Sequence, residues 1–256
     1  MNPDDFEKRL RALEYFHTLR LIPGAWTVVR VDGRGFSRFT EAHFEKPFDP
    51  TFHTLMIQTA KALLEELQGI YAYTESDEIS VLFRPDWKLF DREVEKIVSI
   101  SAGIASAAFT QGCQTPAHFD SRIWLGVDPA QVVDYFRWRQ DDATRCALNG
   151  WCYWMLRKMG KSVAEATSTL KSQSTAFKNE LLFQQGINFN DLSAWQRRGV
   201  GLSWEIYEKA GYDPIQSKAV TARRRRVKID EALPVKEEYG LYIQRLLDAN
   251  QPTKDQ

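Results

Sequence analysis

An excess of either charge is the first thing this chain lacks. Its 34 lysines and arginines are matched by 34 aspartates and glutamates over 256 residues, for a formal net charge of zero. Proteins that coat nucleic acid without specificity carry a basic surplus, so any dealing with nucleic acid here must rest on local positive charge. No apolar run approaches the roughly 18 residues that a membrane span requires. Cysteine is scarce: Cys113, Cys146 and Cys152 make neither an even disulfide framework nor a CxxC pair. That pattern fits buried thiols in a reduced, cytoplasmic setting. The histidines, His17, His43, His53 and His118, show no HExxH-type spacing, which leaves no case for zinc. The N-terminal stretch MNPDDFEKRLRALEYF is charged throughout, unlike a secretory signal. Internal repeats and long low-complexity segments are absent as well.

What is present is a globular composition, 43% hydrophobic and 27% charged. The length suits one large domain or one domain with an appendage. A first helix is expected from Asp4 to about Leu19, closed by Pro23-Gly24. WTVVRV, Trp26 to Val31, reads as a buried strand running into Asp32-Gly33-Arg34-Gly35. Helical spacing covers Pro50 to Leu67. Ile70–Thr74 and Ile79–Phe83 read as strands joined by a Glu75-to-Glu78 turn. A helix from Trp87 to Phe109 and a strand from Phe119 to Val127 follow. The order strand, helix, strand, strand, helix, strand is the split βαβ, ferredoxin-like arrangement. It predicts an α+β fold with an antiparallel sheet, both helices on one face and the other face open. Residues 1–130 would form this core.

Residues 131–256 read as a mainly helical extension with some strands, not clearly an independent domain. Helices are expected from Pro129 to Gln140, Asp142 to Met159, Val163 to Lys171 and Thr175 to Phe183. Strands between Val200 and Val235 would turn at Gly211 to Pro214. A short helix from Glu237 and a frayed polar tail, NQPTKDQ, close the chain.

Chemistry concentrates in two acidic motifs. Asp32 ends the first strand, and Asp77 and Glu78 sit at the turn between the second and third. In a split βαβ sheet the first and third strands are central neighbours, so these carboxylates converge at one end. Converging carboxylates repel, and a hard divalent cation such as Mg²⁺ is the usual compensation. Two such ions clamp an in-line nucleotidyl displacement. Gly33 would let backbone and phosphate approach closely. Asp-Gly and Ser-Asp-Glu are also ordinary turn sequences, and that plainer reading stays open.

VVRVDGRGFSRFT, HFEKPFD, YAYTESDEISVLF, DYFRWRQDDA and FKNELLFQQGINFN together resemble the tRNA-His guanylyltransferase family, in its order and near its spacings. The resemblance runs from about Trp26 to Gly199. It implies a polymerase palm-type core that extends RNA in the 3′-to-5′ direction with two Mg²⁺ ions and with ATP and GTP as substrates. It implies Asp32, Asp77 and the Gly33 carbonyl as metal ligands, with Glu78 beside them in the catalytic set. Arg34, Gly35, Phe36, Lys46 and Ser76 would contact a nucleotide triphosphate, joined by Arg92 and Lys96. Lys178 and Asn179 would lie near the nucleotide or the tRNA end. A homotetramer is implied too.

One departure stands out. Eukaryotic members that add a guanosine to histidine tRNA carry a HINNLYNT-type motif after WRQ-x-D, and here that stretch is Thr144-Arg145-Cys146-Ala147-Leu148-Asn149-Gly150. This resembles the bacterial or archaeal "-like" branch, associated with template-dependent repair of 5′-truncated tRNA. The 5′ end would be activated as a triphosphate or by adenylylation, and a nucleotide 3′-hydroxyl would then attack it. Strict histidine-tRNA guanylylation is the alternative. A cyclase-like palm and a non-catalytic RNA-binding module are further ones. The first lacks the FKNELLF and WRQDDA segments, and the second would want positive charge where the acids sit.

Two features remain double-edged. Arg223-Arg224-Arg225-Arg226 is either a solvated face or a tRNA-backbone contact, and a strand would send alternate arginines to opposite faces. Among the eight tryptophans, Trp138, Trp151, Trp154 and Trp204 read as core or interface residues before base-stacking platforms.

Overall fold

The structure is a computed structural model and describes residues 3–15, 17–213 and 218–251. Its centre is one six-stranded antiparallel sheet in the order β4-β1-β3-β2-β5-β6. Four strands come from the first half of the chain: β1 (Trp26–Gly33), β2 (Tyr71–Glu75), β3 (Glu78–Phe83) and β4 (Phe119–Gly126). Two come from the second half: β5 (Val200–Asp213) and β6 (Lys218–Asp230). The helices are α1 (Pro3–Arg11), α2 (Phe36–His43), α3 (Pro50–Glu66), α4 (Val94–Cys113), α5 (Pro129–Lys158), α6 (Val163–Leu170), α7 (Thr175–Phe183), α8 (Ala194–Arg198) and α9 (Lys236–Ala249).

Strand alternation separates two apolar layers. Val29, Val31, Ala72, Ile79, Val81 and Phe83 face α3 and α4 and form one core with Leu63, Leu64, Ile97 and Phe109. Val28, Tyr71, Tyr73 and Leu82 face the other way, against Tyr135 and Phe136 of α5 and Tyr239 and Ile243 of α9. The face expected to stay open is therefore covered by the C-terminal extension. A third cluster ties α5 to α6 and α7 through Cys152, Leu156, Ala166, Leu170 and Leu182.

The α5 segment corrects another expectation. Two helices were expected, meeting at Asp141; the chain forms one helix of 30 residues. No proline or glycine interrupts it before Gly150, and Phe136, Arg139, Gln140, Ala143 and Ala147 continue one buried face across the supposed break. Asp128 caps it by accepting from the Ala130 N–H at 2.8 Å, while Gln131 reaches back to the Val127 N–H at 2.9 Å.

Other boundaries move for local reasons. Helix α4 starts at Val94 and not at Trp87, because Trp87 is held in the core, stacked on Phe83 and donating its indole N–H to the Leu67 carbonyl at 3.0 Å. Helix α1 ends at Arg11, well short of Leu19. Helix α2, unforeseen, begins where Gly35 turns the chain at φ 71. The expected turn at Gly211 to Pro214 falls partly outside the described residues, as does the tail from 252. Among the described residues no helix is long and apolar enough to cross a membrane.

Candidate active site

Register brings the acidic motifs together. Strand β1 pairs with β3 so that Asp32 lies opposite Glu78, and β2 pairs with β3 so that Glu75 also lies opposite Glu78. The Gly33 N–H donates to the Asp77 carbonyl at 3.1 Å, tying the end of β1 to the β2–β3 turn. Gly33 itself is required by space: a Cβ there would collide with the Phe36 ring. That ring is buried against Phe39, Phe109 and Phe119, so it has nowhere to go.

Charges in this corner are strained against one another. Burial, with Asp32 beside it, pushes the Asp77 carboxyl up to about 6. Burial pushes Glu75 up to about 8, helped by Glu78 and Asp77. The Ser76 hydroxyl donates to Asp77 at 3.1 Å. Glu78 is different, because α5 supplies it with a partner. Arg139 donates Nε and Nη2 to its two oxygens at 2.7 and 2.8 Å, and Arg30 lies 3.7 Å away. These arginines oppose the upward push that burial exerts on Glu78. Glu78, expected in the catalytic set, is thus committed to an ion pair and does not line the cavity described next.

Beside Asp77 opens a cavity of about 430 Å³ between α2, the 44–49 segment, α3, the β2–β3 turn and α5. Its floor carries Glu75, Ser76 and Asp77, and its walls include Phe48, Phe52, Trp154 and Trp195. Lys46 enters from the 44–49 segment, hydrogen-bonded to the Thr40 hydroxyl and 5.7 Å from the centre of the Trp154 ring. Burial lowers its pKa, opposed by Glu41, Asp77 and Asp49. An anion entering the cavity would meet Lys46 on one side and the aromatic wall on the other.

The donor set suits a hard cation. Asp32, Asp77 and the Gly33 carbonyl offer oxygen only, and the mutual repulsion that lifts Asp77 is what a divalent ion would relieve. Among the described residues no three His, Cys, Asp or Glu side chains close into a metal cage. Two carboxylates with substrate phosphates and water form the open kind of site that Mg²⁺ accepts.

Not every expected residue comes to this corner. Arg34, Gly35 and Phe36 do, at the start of α2, and Phe36 lines the cavity. Arg92 and Lys96 do not. Ser106 of α4 stands level with the site, accepting from the Phe119 N–H at 3.0 Å opposite Gly33. Lys96 lies ten residues back along that helix, about 15 Å away, and Arg92 further. Within one chain they sit at the other end of the sheet, where Lys96 pairs with Glu93 at 3.3 Å. Lys178 and Asn179 sit on α7, packed behind α5, where the Cys152 thiol donates to the Lys178 carbonyl at 3.3 Å; neither lines the cavity.

The arginine run lies on β6, whose partner β5 pairs with β2 only from Val200 to Ser203. Beyond that the two strands project as a ribbon, away from the carboxylates. Arg226 pairs with Glu205 at 2.7 Å and Arg225 covers the Trp204 ring at 4.2 Å, on opposite faces.

Glu75, Arg139 and Cys146 stand in this corner although the sequence reading gave them no part in a site, and Trp154, read as core or interface before a base-stacking platform, lines the cavity. Glu75 stands inside the quoted YTESDE string and Arg139 inside WRQDD, so the strings held them without revealing their partners. Cys146, expected to be buried, is exposed at the cavity wall, whereas Cys152 is buried. Trp138, expected in a core or an interface, is 53% exposed on the single chain and so lies outside its core.

Fold and site together define a palm-like α+β protein with an acidic centre at the end of its central strands. Residues 7–126 match the family described as tRNAHis guanylyltransferase, and residues 130–240 match the Thg1 C-terminal domain. The chain is 39% identical over 195 residues to tRNA(His) guanylyltransferase 2 of Arabidopsis thaliana, covering 70% of this chain and 36% of that one. It is 33% identical over 227 residues to a probable tRNA(His) guanylyltransferase of Mus musculus, covering 80% of this chain and 76% of that one. It thus spans about a third of the plant relative and three quarters of the mouse one. A bacterial tRNA(His) guanylyltransferase (Thg1)-like protein in complex with ATP superposes with a TM-score of 0.74 at 26% identity, covering 94% of this chain and 98% of that one. Another structure of such a protein is in complex with GTP. The chain belongs to the tRNAHis guanylyltransferase family, a family of nucleotidyltransferases.

Proposed function

We propose that this chain adds nucleotides to the 5′ end of tRNA in the 3′-to-5′ direction, as a repair enzyme for 5′-truncated tRNA. The observation that carries this reading is the convergence of Asp32 and Asp77 beside a cavity that holds Lys46. Asp32, Asp77 and the Gly33 carbonyl would hold two Mg²⁺ ions. Such ions lower the pKa of an attacking hydroxyl and neutralise charge on the leaving oxygens.

The rest is the work of this chain's residues. The aromatic walls, Trp154 and Phe48 among them, take the base of an ATP or GTP. Lys46 and Ser76 receive its phosphates, together with the backbone N–H groups that open α2 at Gly35 and Phe36 and the side chain of Arg34, whose own N–H is held by the His118 carbonyl at 2.8 Å. The start of a helix favours anions because its first N–H groups lack helical partners. ATP activates a 5′-monophosphate, and an existing 5′-triphosphate needs no such step. The 3′-hydroxyl of the incoming nucleotide then displaces AMP or pyrophosphate. Lys178 and Asn179 attend the tRNA end from behind α5, and the β6 arginines touch its backbone.

Template-dependent repair is favoured over histidine-specific guanylylation by the Thr144-to-Gly150 stretch, which lacks the HINNLYNT-type residues. Residues 1–130 act as the catalytic core and 131–256 as an extension packed on it, in a cytoplasmic homotetramer.

Asp32→Asn and Asp77→Asn keep shape and remove charge. Each should abolish 5′ nucleotide addition, by at least about 1,000-fold, which corresponds to roughly 4 kcal/mol of barrier. Binding of truncated tRNA should remain within a few-fold of the parent. Near-normal rates in Mg²⁺ for either variant would refute the assignment.

A further inference from the structure

Glu78 sits at the middle of an acidic row, opposite Asp32 on one side and Glu75 on the other. Directly opposed residues on antiparallel strands hold their Cβ atoms about 4.5–5.5 Å apart, so three carboxylates share one patch of sheet. A divalent cation arriving there would find Glu78 as accessible by distance as Asp32. What sets Glu78 apart is Arg139. This side chain is buried to 8% exposure, forks onto both Glu78 oxygens at 2.7 and 2.8 Å, and reaches Asp142 at 3.3 Å. The Trp138 ring closes over its guanidinium at 4.6 Å. Arg30 approaches Glu78 from β1 at 3.7 Å, with its own Nε buried and otherwise without a hydrogen-bond partner.

We propose that Arg139 is a positioning residue for the reaction. Its two-point clamp on Glu78 anchors the β2–β3 turn that carries Asp77, and it withholds the Glu78 carboxylate from the metal ions. The proposal rests on the functional reading above. It assigns α5, which belongs to the extension, a direct hand in the geometry of the core. Lysine could not replace it, because a point charge lacks the planar fork that fixes both oxygens.

The test uses the full chain with Arg139→Gln, Arg139→Lys, Glu78→Gln and the double variant Glu78→Gln/Arg139→Gln. Thermal unfolding checks that each is folded. Mn²⁺ binding is followed by electron paramagnetic resonance without RNA, and 5′ extension of truncated tRNA is measured as separate kcat and KM values. Arg139→Gln should lose at least about 100-fold in kcat with KM for tRNA and ATP within threefold. Its Mn²⁺ affinity should equal or exceed the parent's, because Glu78 is released to the ions. The double variant should recover at least tenfold in kcat over Arg139→Gln.

A merely structural arginine would weaken metal binding and activity together. The proposal is overturned if Arg139→Gln keeps kcat within threefold, if its Mn²⁺ affinity falls, or if the double variant is no more active than the single one. Should Arg139→Gln fail to fold, Arg139→Lys decides: a tenfold fall in kcat supports the clamp, and an unchanged kcat contradicts it. If the unsubstituted chain adds no nucleotide, the functional reading fails, while Mn²⁺ titration of the same proteins still tells whether Arg139 withholds Glu78.

Discussion

Glu75 is the residue whose physics is most readily measured. In the folded chain its carboxyl keeps a proton up to about pH 8, whereas the unfolded chain releases it near 4.5. Between those values the folded state binds more protons, so this group's contribution to stability falls as pH rises. It is fully present below about pH 4.5 and lost by about pH 8. Glu75→Gln removes the loss. Without divalent ions, the variant should unfold at a higher temperature than the parent, by a margin widening from pH 5 to pH 8 and worth about 1–3 kcal/mol at the upper end. A margin independent of pH would show that Glu75 titrates normally. Gly33→Ala tests space: its Cβ meets the Phe36 ring, and urea unfolding should show a loss of about 1–3 kcal/mol. At this scale Asp32 and Asp77 were legible as candidates from their local acidic motifs, whereas Lys46 entered only through the family resemblance of its HFEKPFD segment. The sequence concealed Arg139, because a partner 61 positions away, Glu78, leaves no local mark.

Elements were legible where one strand or helix answers to its own periodicity. All four core strands fell within two residues of their expected ends, and β1 and β3 met as the split βαβ order requires. The two largest failures were tertiary. A charged stretch at Asp141-Asp142 looked like a break, yet a continuous buried face carried α5 straight through it. The open sheet face was lost because α5 and α9 supply an apolar layer that nothing in the first half announces. The β5–β6 ribbon carries a prediction of its own. Glu205 lies five residues past Val200, which pairs with Thr74 near the site, so Arg226 stands about 17 Å along the sheet from the carboxylates. Arg223 and Arg224 are exposed further out, at the level of Glu208 and Tyr207. Replacing both with alanine should weaken tRNA binding equally across sequences and reduce the slope of log affinity against log salt by up to about 2. An unchanged slope would return the run to a solvated face.

For the whole molecule, the zero net charge is the sum of two opposed local arrangements. Acidic side chains gather at the meeting point of β1, β2 and β3, where their neighbours and burial raise the proton affinity of Asp77 and Glu75. Basic ones divide into Lys46 in the cavity, Arg139 and Arg30 inside the acidic row, and the ribbon arginines far from both. Strand order creates the first group and the C-terminal extension supplies much of the second. The extension therefore bears on the charge balance of the acidic corner as well as on the packing of the sheet. The central claim is that this arrangement transfers nucleotides to an RNA 5′ end. Its most direct test incubates a labelled tRNA lacking its first nucleotide with ATP, the four nucleotides and Mg²⁺, using the unsubstituted chain and Asp77→Asn side by side. The account predicts products longer at the 5′ end by the nucleotide that pairs with the opposite strand, made by the parent and not by the variant. Cyclic nucleotide, binding without extension, or equal extension by both proteins would contradict it.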